Sequence, residues 1–525
     1  IPRFMTRAER LQSLARHPRF DLVVVGGGAT GLGVALDAAL RGFSVALFES
    51  HDFAGGTSSR STKLLHGGVR YLAQGNVALV REALAERATV LRIAPHLAQP
   101  LPFVMPSYAW WQTPYYGAGL KLYDLMAGRA GLGRTALLSR AQTLAALPGV
   151  NPQGLQGGVR YWDGQFDDAR LALALARTAE TAGAQLFNYA GVDGVEWHGD
   201  GATVTVKDGL NGNRYTLEAR CVINATGVWV DAVRAHAGAA GTAAPSRMVS
   251  PSQGVHVVVD REFLPGDHAL LVPKTRDGRV LFAVPWLGKL ILGTTDTPRQ
   301  DLPREPQPFA EELEFILGEA AHVLKRPVRR HDIRSVWVGL PPLVAPPKAE
   351  GGGTQRLSRE HTIVVDPSGL VTVTGGKWTT YRAMADDVME RCFAADLLPR
   401  RAGGQTARHV LDGSPAEGVA AVPLHAAPGL HLFGSHATEV QRCPGADRSL
   451  DMGLTEAMVR YAVRCEHAHT VEDVLARRWR ALFLDARRAR AMAPSVAAIL
   501  EDEGVGDPRL QDFLSLCQRY LPAAA

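Results

Sequence analysis

The chain reads Asp21-Leu-Val-Val-Val-Gly26-Gly27-Gly28-Ala29-Thr30-Gly31 near its N-terminus, which places a glycine-rich turn directly after an apolar strand. The glycines follow the GxGxxG pattern, in which Gly26 permits a tight turn and Gly28 lets the backbone approach a pyrophosphate. Gly31 lets the following helix pack closely on the strand, and the N-terminus of that helix faces the phosphates. The stretch therefore predicts a dinucleotide-binding turn.

A second apolar strand follows after about 20 residues, which is the spacing of a βαβ unit. This strand, Ser44-Val-Ala-Leu-Phe48, ends at Glu49. A carboxylate at this position accepts hydrogen bonds from ribose hydroxyls and disfavours the 2′-phosphate of NADP. The pattern predicts a Rossmann-like fold and leaves FAD and NAD both open.

Length and composition indicate a multidomain globular protein. The 525 residues, 46% of them apolar, can bury a large core and suggest two to four domains. The five cysteines are scattered without a CxxC pair, which is typical of reduced thiols in a cytoplasmic protein and predicts no metal site. No uncharged apolar stretch reaches the roughly 18 residues of a membrane-spanning helix, so we expect no such span.

The excess of positive charge favours anionic partners. A formal net charge of +5 and a pI of about 9.0 fit an anionic substrate or an anionic surface. Residues 3–19 form a basic amphipathic pattern, which predicts either a membrane-surface helix or a plain capping helix. Within 108–123, the aromatic residues Trp110, Trp111, Tyr115 and Tyr116 crowd beside Lys121, as such residues do at membrane interfaces or in core packing. The arginines at 477–488 predict a solvated helix face rather than a nucleic-acid site.

The chain divides into three predicted domains. Strand and helix patterns at 18–240 and 355–395 predict a discontinuous dinucleotide-binding domain, with part of 95–155 inserted into it. Alternating strands at 241–354 predict a sheet-rich substrate domain. A stretch rich in Pro, Gly and Ala leads into a helical C-terminal domain at 396–525. The predicted fold class is α/β.

The most specific stretch is the run Gly56-Thr-Ser-Ser-Arg-Ser-Thr-Lys-Leu-Leu-His-Gly-Gly-Val-Arg-Tyr-Leu72. Further distinctive segments follow in the order of one known family, at 163–171, 224–227, 293–296, 375–382 and 471–478. Over nearly its whole length the chain resembles the FAD-dependent glycerol-3-phosphate dehydrogenases, members of the D-amino-acid-oxidase-like flavoprotein superfamily. The resemblance implies FAD as the cofactor, bound in an extended pose with its isoalloxazine ring at the interface with the substrate domain.

The cofactor is expected to bind to backbone amides and hydroxyl groups from several glycine-rich turns. The hydroxyls of Ser58 and Ser59 and the glycine pairs at 67–68 and 375–376 suit the flavin ring and the ribityl-phosphate chain. The predicted cofactor-binding residues are Gly26, Gly28, Thr30, Gly31, Glu49, Ser58, Ser59, Lys63, Leu64, His66, Gly67, Gly68, Val192, Thr226, Gly227, Gly376, Lys377 and Thr379.

The implied reaction is the oxidation of sn-glycerol 3-phosphate to dihydroxyacetone phosphate. It needs a base for the hydroxyl proton, a flavin N5 to take the hydride and cations for the phosphate. The resemblance puts Arg70, Tyr71 and Lys377 at the substrate, where the two cations would hold the phosphate. It also makes His256 the base, because an imidazole with a pKa near 6.5 can accept a proton at neutral pH. The predicted catalytic residues are thus His256, Arg70 and Lys377.

Electron transfer out of the flavin is expected to reach a membrane quinone or oxygen. Oxygen-using members of the family carry a long extra insertion, and no such insertion is obvious here. We therefore predict a quinone acceptor and a cytoplasmic protein bound peripherally to the inner face of the cytoplasmic membrane. No nucleic-acid partner is expected, and a homodimer is left open.

Two positions depart from the family pattern. An arginine usually stands in a Gly-x-Arg-Pro-Leu segment, whereas this chain has Pro341 there, and Gln253 replaces a lysine that usually precedes the Gly-x-His segment. Proline has neither charge nor donor, so it cannot clamp an anion. Two alternatives follow: a flavin oxidoreductase of the same fold for another small anionic hydroxy or amino acid, and a flavin-binding protein that has lost turnover.

Overall fold

The computed structural model describes residues 7–68, 76–237, 246–276, 278–345 and 361–522. The strands of this part of the chain are β1 Arg19–Val25, β2 Val45–Phe48, β3 Leu64–Leu65, β4 Ala98–Ser107, β5 Ala136–Ser139, β6 Gly157–Phe166, β7 Gln185–Phe187, β8 Ala190–His198, β9 Gly201–Asp208, β10 Arg214–Asn224, β11 Val249–Asp260, β12 Ala269–Val272, β13 Leu281–Trp286, β14 Lys289–Gly293, β15 Thr297–Pro298, β16 Ser335–Gly339, β17 Pro342–Val344, β18 Thr362–Val365, β19 Val371–Thr374, β20 Ser449–Asp451 and β21 Leu454–Thr455. The α-helices are α1 Arg7–Arg16, α2 Ala29–Leu40, α3 Val77–Ile93, α4 Gln112–Ala127, α5 Arg140–Ala146, α6 Asp168–Thr181, α7 Val230–Ala237, α8 Ala310–Val323, α9 Tyr381–Ala394, α10 Ala437–Gln441, α11 Glu456–Cys465, α12 Ala481–Leu484, α13 Ala486–Asp502 and α14 Leu510–Arg519.

The first sheet has the strand order β18-β19-β10-β1-β2-β7, and β19, β10, β1, β2 and β7 run parallel. In its register Val25 lies beside both Asn224 and Phe48, so β1, β10 and β2 end at the same edge. The turns that follow these strands are thereby brought together, which is where open α/β sheets bind their ligands. The predicted Rossmann-like α/β fold is confirmed.

Helix α2 follows β1 and is buried on nearly every side, which fits its composition of Ala, Val, Leu and Gly. It packs against α9 and α6. The approach of the helix to the turn is close, because a Cβ at Gly31 would lie 1.9 Å from the carbonyl oxygen of Gly26. This packing aims the N-terminus of α2 at the edge where β1 ends.

The second sheet has the strand order β15-β11-β14-β13-β12-β4-β6-β3, with β16 and β17 on β11 and β5 on β6. Long β-branched and aromatic runs in β11, β13 and β16 fill the core on its two faces. The sheet includes β3–β6, from 64–166, as well as strands from 249–344. Two of these strands, β3 and β6, lie outside the insertion at 95–155 and within the range 18–240 that the sequence assigns to the first domain. The second sheet therefore takes more of that range than the insertion alone.

The C-terminal helices pack on the second sheet through a shared apolar core. Three arginines of this region, Arg477, Arg478 and Arg480, are at most 4% exposed. The prediction of a solvated arginine face is wrong for them, because acidic partners from the first domain meet them in the interior: Asp52 pairs with Arg477 and Arg478, and Asp168 with Arg480.

Helix α1 covers the first domain rather than standing free of it. Leu11 and Leu14 are buried in the core below the sheet, and Arg7 and Arg10 pair with Asp208 and Glu180. The capping alternative is the one that the described part of 3–19 fits, since its apolar stripe is already covered. Across the described ranges, no helix combines the length and the apolar character needed to traverse a bilayer.

Candidate active site

A cavity of about 430 Å³ opens at the edge where β1, β2 and β10 end and extends to β11 and β16 of the second sheet. Its size lies within the range of small-molecule sites, roughly 300–1,000 Å³. The predicted site residues that line it are Gly26, Gly28, Thr30, Glu49, Ser58, Leu64, His66, Val192, Thr226, Gly227, His256, Gly376, Lys377 and Thr379. Residues as far apart in sequence as Gly26 and Thr379 thus share one cavity.

The remaining predicted residues lie elsewhere. Gly31, Ser59, Gly67 and Gly68 are buried next to the lining without being part of it. The side chain of Lys63 is fully buried and its Nζ donates to Asp168 Oδ2 at 2.7 Å, so the ammonium is turned away from the cavity. Arg70 and Tyr71 lie outside the described residues.

The nucleotide end of the cavity is held in shape by its own hydrogen bonds. Glu49 Oε2 accepts from the backbone amide of Gly27 at 2.8 Å, and its Oε1 accepts from the amide of His51 at 2.9 Å. Ser58 Oγ accepts from the amide of Ala29 at 2.9 Å, at the first turn of α2. The glycine-rich turn and the start of α2 are therefore preorganised to receive phosphate oxygens.

Two residues that the sequence reading missed also line this end, Trp229 and Arg304. The Arg304 guanidinium lies 5.0 Å from the centroid of the Trp229 ring, and its Nη2 donates to Ser50 Oγ at 3.0 Å. Arg60 fixes the same segment by donating to the Arg304 carbonyl at 2.7 Å. No motif marks an arginine that reaches the first domain from the segment after β15, so the sequence offered no signal for it.

At the opposite end, His256 projects from β11 between two neighbouring strands. Its imidazole stacks on Trp337 of β16 with ring centroids 4.1 Å apart and is only 3% exposed. A Cβ at Gly293, its partner on β14, would lie 2.6 Å from the imidazole Cδ2, so this position needs glycine. The imidazole ring is therefore held in one orientation against the sheet.

The surroundings of His256 keep its imidazole neutral. Its Nε2 lies 2.9 Å from Thr62 Oγ1, which also lines the cavity, and its buried Nδ1 has no hydrogen-bond partner among the described residues. Burial, and secondly the charge of Lys63, hold the pKa of His256 well below its ordinary value. The imidazole is thus neutral at pH 7 and able to take a proton.

The two positions that depart from the family pattern have different surroundings. Pro341 lines the cavity together with Pro342 and Leu343, so this wall is apolar. Gln253 is fully buried outside the lining, where its Nε2 donates to Glu312 and its Oε1 accepts from Arg299. The proline thus changes the wall of the cavity itself, whereas the glutamine is part of a network behind it.

Comparisons with known proteins agree with this architecture. The family model described as FAD dependent oxidoreductase matches residues 21–390, and that of the C-terminal domain of alpha-glycerophosphate oxidase matches residues 404–505. The mitochondrial glycerol-3-phosphate dehydrogenase of Homo sapiens is 40% identical, over 98% of this chain and 75% of the human protein. That of Schizosaccharomyces pombe is 37% identical, over 97% of this chain and 88% of the yeast protein.

A solved structure matches over the whole fold. The glycerol-3-phosphate dehydrogenase of Bacillus halodurans, crystallised with FAD, superposes with a TM-score of 0.75 at 27% identity and covers 98% of both chains. The fold, the cavity and these matches define an FAD-dependent oxidoreductase. Within that class, the chain belongs to the family of the glycerol-3-phosphate dehydrogenases.

The residues of the cavity fit FAD. The turn at 26–31 and the start of α2 suit a pyrophosphate, and Glu49 suits the adenosine ribose. Thr226, Thr379 and the glycines at 375–376 line the same cavity as this turn and His256. The cavity is continuous between the nucleotide end and the imidazole, as an extended flavin dinucleotide requires.

Replacing Arg304 tests the nucleotide end. We expect Arg304→Ala to weaken FAD binding by about 10- to 100-fold, because a charge-assisted contact at the nucleotide end is lost. Titration of apoprotein with FAD, followed by flavin fluorescence, measures the effect. Arg326→Ala is the matched control, since Arg326 is 53% exposed and pairs with Glu262 on the surface. Equal FAD affinities for the two variants would remove Arg304 from the cofactor site.

Proposed function

We propose that this protein oxidises sn-glycerol 3-phosphate to dihydroxyacetone phosphate at the end of the cavity that contains His256. The observation that carries the proposal is the presence of a buried, neutral imidazole and of Lys377 in the same cavity as the dinucleotide-binding turn. FAD, when bound, supplies the acceptor for the hydride that leaves the substrate carbon. The chain itself supplies the base and the cations.

In this proposal His256 takes the proton of the substrate hydroxyl at Nε2. That nitrogen is the one hydrogen-bonded to a cavity-lining hydroxyl, Thr62 Oγ1, whereas Nδ1 is enclosed in the protein. Stacking on Trp337 and the close contact with Gly293 hold the ring in place while it gains charge. A base held in one orientation avoids reorganisation during the reaction.

The substrate phosphate is assigned to Lys377 and Arg70, with Tyr71 beside them. Lys377 lines the cavity directly after the glycine pair at 375–376, which lines it as well. Two cations can share the oxygens of one phosphate dianion, and arginine does so with two parallel donors.

Removing the arginine tests this assignment. We expect Arg70→Ala to lower kcat/KM for glycerol 3-phosphate by about 10- to 100-fold and to change kcat/KM for glycerol little. The reason is that only glycerol 3-phosphate carries the negative charge that Arg70 would bind. Steady-state kcat/KM for both substrates gives the comparison. Arg92→Ala, on the outer face of α3, serves as the control. An equal loss for both substrates would contradict the assignment.

Anaerobic stopped-flow absorbance at the flavin band tests the function as a whole. Saturable bleaching with glycerol 3-phosphate would support the dehydrogenase reaction and mean that other residues compensate for the apolar wall at Pro341. Bleaching only by another small anionic hydroxy or amino acid would favour the second candidate, a flavin oxidoreductase of the same fold with a different substrate. The apolar wall at Pro341 is the feature of this chain that motivates that candidate. A flavin that no candidate substrate reduces would point to a binding protein without turnover.

A membrane quinone is the proposed electron acceptor, reached from the inner face of the cytoplasmic membrane. An exposed aromatic and aliphatic patch on and before α4 supports contact with a bilayer: Trp110 is 82% exposed, Tyr115 68% and Leu125 77%. Trp and Tyr side chains favour the membrane–water interface, where an apolar body and a polar edge are both satisfied.

Vesicle sedimentation tests the membrane contact. We expect the double variant Trp110→Ser, Leu125→Ser to partition onto anionic lipid vesicles about tenfold or more weakly. The reason is that two large apolar side chains are no longer available to move from water into the lipid. Val410→Ser with Val419→Ser is the control, since these side chains are 57% and 59% exposed on another part of the chain. A wild-type protein that does not bind vesicles and whose activity does not respond to quinone analogues would refute the peripheral location.

A further inference from the structure

The turn at 57–66 connects the two ends of the cavity. Ser58 Oγ accepts from the amide of Ala29 at the start of α2, and Thr62 Oγ1 lies 2.9 Å from His256 Nε2. Trp378 Nε1 also donates to the Ser58 carbonyl at 2.8 Å. The backbone conformation of this turn therefore sets the position of the proposed base relative to the dinucleotide-binding turn.

A fully buried cluster of charges holds the turn from its other side. Asp168 Oδ2 accepts from Ser61 at the amide and the hydroxyl, at 3.1 and 2.7 Å, and from Lys63 Nζ at 2.7 Å. The Ser59 carbonyl accepts from Lys63 Nζ at 2.8 Å and from Arg480 Nη2 at 2.7 Å. Lys63, Asp168 and Arg480 are each 0% exposed, so water does not screen or replace these contacts.

Arg480 is the member of the cluster that comes from the C-terminal helices. Its backbone is left-handed, with φ +64°, immediately before α12, a conformation that a non-glycine residue keeps only where its surroundings require it. The guanidinium lies 4.1 Å from the Phe483 ring centroid, donates to the Ala476 carbonyl at 2.7 Å and meets Asp168 Oδ1 at 3.2 Å. Its donors are thus spread over the turn, α6 and its own domain.

We propose that Arg480 is a positioning residue through which the C-terminal helices hold the 57–66 turn and thereby orient Thr62 and His256. Arg480 does not line the cavity, so it acts through the turn and touches neither substrate nor cofactor. The inference rests on the function proposed above for His256. Lysine at this position keeps the charge but carries all its donors on one nitrogen, whereas Arg480 uses Nη1 for Ala476 and Nη2 for Ser59 and Asp168.

The experiment compares four holoenzymes: wild type, Arg480→Lys, Thr62→Ala and the double variant. We expect Arg480→Lys to slow flavin reduction by glycerol 3-phosphate about tenfold without raising the half-saturating substrate concentration. In the Thr62→Ala background the same change is expected to cost less than about twofold, because residues that act through one contact are not additive. Equal factors in the two backgrounds, or a wild-type rate for Arg480→Lys, would overturn the proposal.

Arg488→Lys is the matched control, because Arg488 lies in the same helical region, is 47% exposed and pairs with Asp451 at the surface. If Arg480→Lys does not fold, Ser61→Ala weakens the link to Asp168 from the side of the turn, because it removes the hydroxyl contact and keeps only the backbone one. This change is expected to be non-additive with Thr62→Ala in the same way. Additive losses would then reject the proposal.

A readout without turnover separates this inference from the proposed function. The visible circular dichroism of bound FAD reports on the turn that faces it, whether or not His256 is the base. If the flavin of His256→Ala is reduced at the normal rate, the proposed base is wrong. An altered visible circular dichroism spectrum of Arg480→Lys would still support the proposal that Arg480 positions the 57–66 turn. An Arg480→Lys spectrum identical to that of the wild type would contradict the proposal that Arg480 positions this turn.

Discussion

His256→Ala is expected to keep its FAD and to slow flavin reduction by glycerol 3-phosphate about 10²–10⁴-fold, the cost of losing general base catalysis. The imidazole lies at the end of the cavity away from the dinucleotide-binding turn, so its loss leaves the nucleotide contacts in place. Anaerobic stopped-flow absorbance measures the rate, and the flavin-to-protein absorbance ratio measures retention.

The pH dependence of the wild-type rate belongs to the same prediction. Burial and then the charge of Lys63 lower the pKa of His256 well below 6.5, so the neutral base is present throughout the neutral range. We expect a reduction rate that is level from pH 8 to pH 6.5 and falls only in more acidic solution, as the imidazole becomes protonated. The acidic fall should be absent in His256→Ala.

His198→Ala is the control for the loss of a histidine, since His198 is about half exposed and contacts Glu218 at 2.9 Å far from the cavity. It should reduce at the wild-type rate. A His256→Ala enzyme that reduces as fast as this control would falsify the role of His256.

Gly31→Ala is expected to weaken FAD binding by about 100-fold or more. The added Cβ would lie 1.9 Å from the Gly26 carbonyl oxygen, a backbone atom of the dinucleotide-binding turn that no side-chain rotation can move aside. Either the turn or α2 has to shift, and overpacking of this kind costs about 1–3 kcal/mol or more. The amides of the turn then no longer match a pyrophosphate.

Titration of the apoprotein with FAD measures this effect, and thermal unfolding of the apoprotein separates it from a general loss of stability. Gly119→Ala provides the matched control, because Gly119 lies within α4 and a Cβ there meets nothing within 4 Å. That variant should bind FAD normally, with a stability equal to or slightly above that of the wild type. Tight FAD binding by Gly31→Ala would mean that the turn tolerates displacement.

The parts of the fold that sequence could predict are those whose information is local. The strand, the three glycines and Glu49 lie within about 30 residues of one another, so the pattern alone could predict that they meet at one edge of a sheet. The resemblance then added the distant segments 224–227 and 375–382, of which residues 225–227 and 375–379 line the same cavity. The hydrophobic periodicity of β11 alone does not predict that His256 lines this cavity.

What sequence could not predict depends on contacts between distant segments. Arg477 and Arg480 look like residues of a solvated helix until Asp52 and Asp168 meet them, 425 and 312 residues away in the chain. Arg304 reaches Ser50 over 254 residues. A charged side chain is buried only where a partner compensates its lost hydration, and the identity of that partner is set by the tertiary fold.

The interleaving of the two sheets has a consequence for how the protein is made. Strand β4 pairs in parallel with β12, whose paired residues follow 166 positions later in the chain, and β10 pairs with β19, whose paired residues follow 148 positions later. A ribosome therefore presents open strand edges for much of translation, and such edges invite association with other chains. Recombinant production should accordingly profit from slow induction and abundant chaperones, and a gene fragment ending near residue 240 would leave both sheets unfinished.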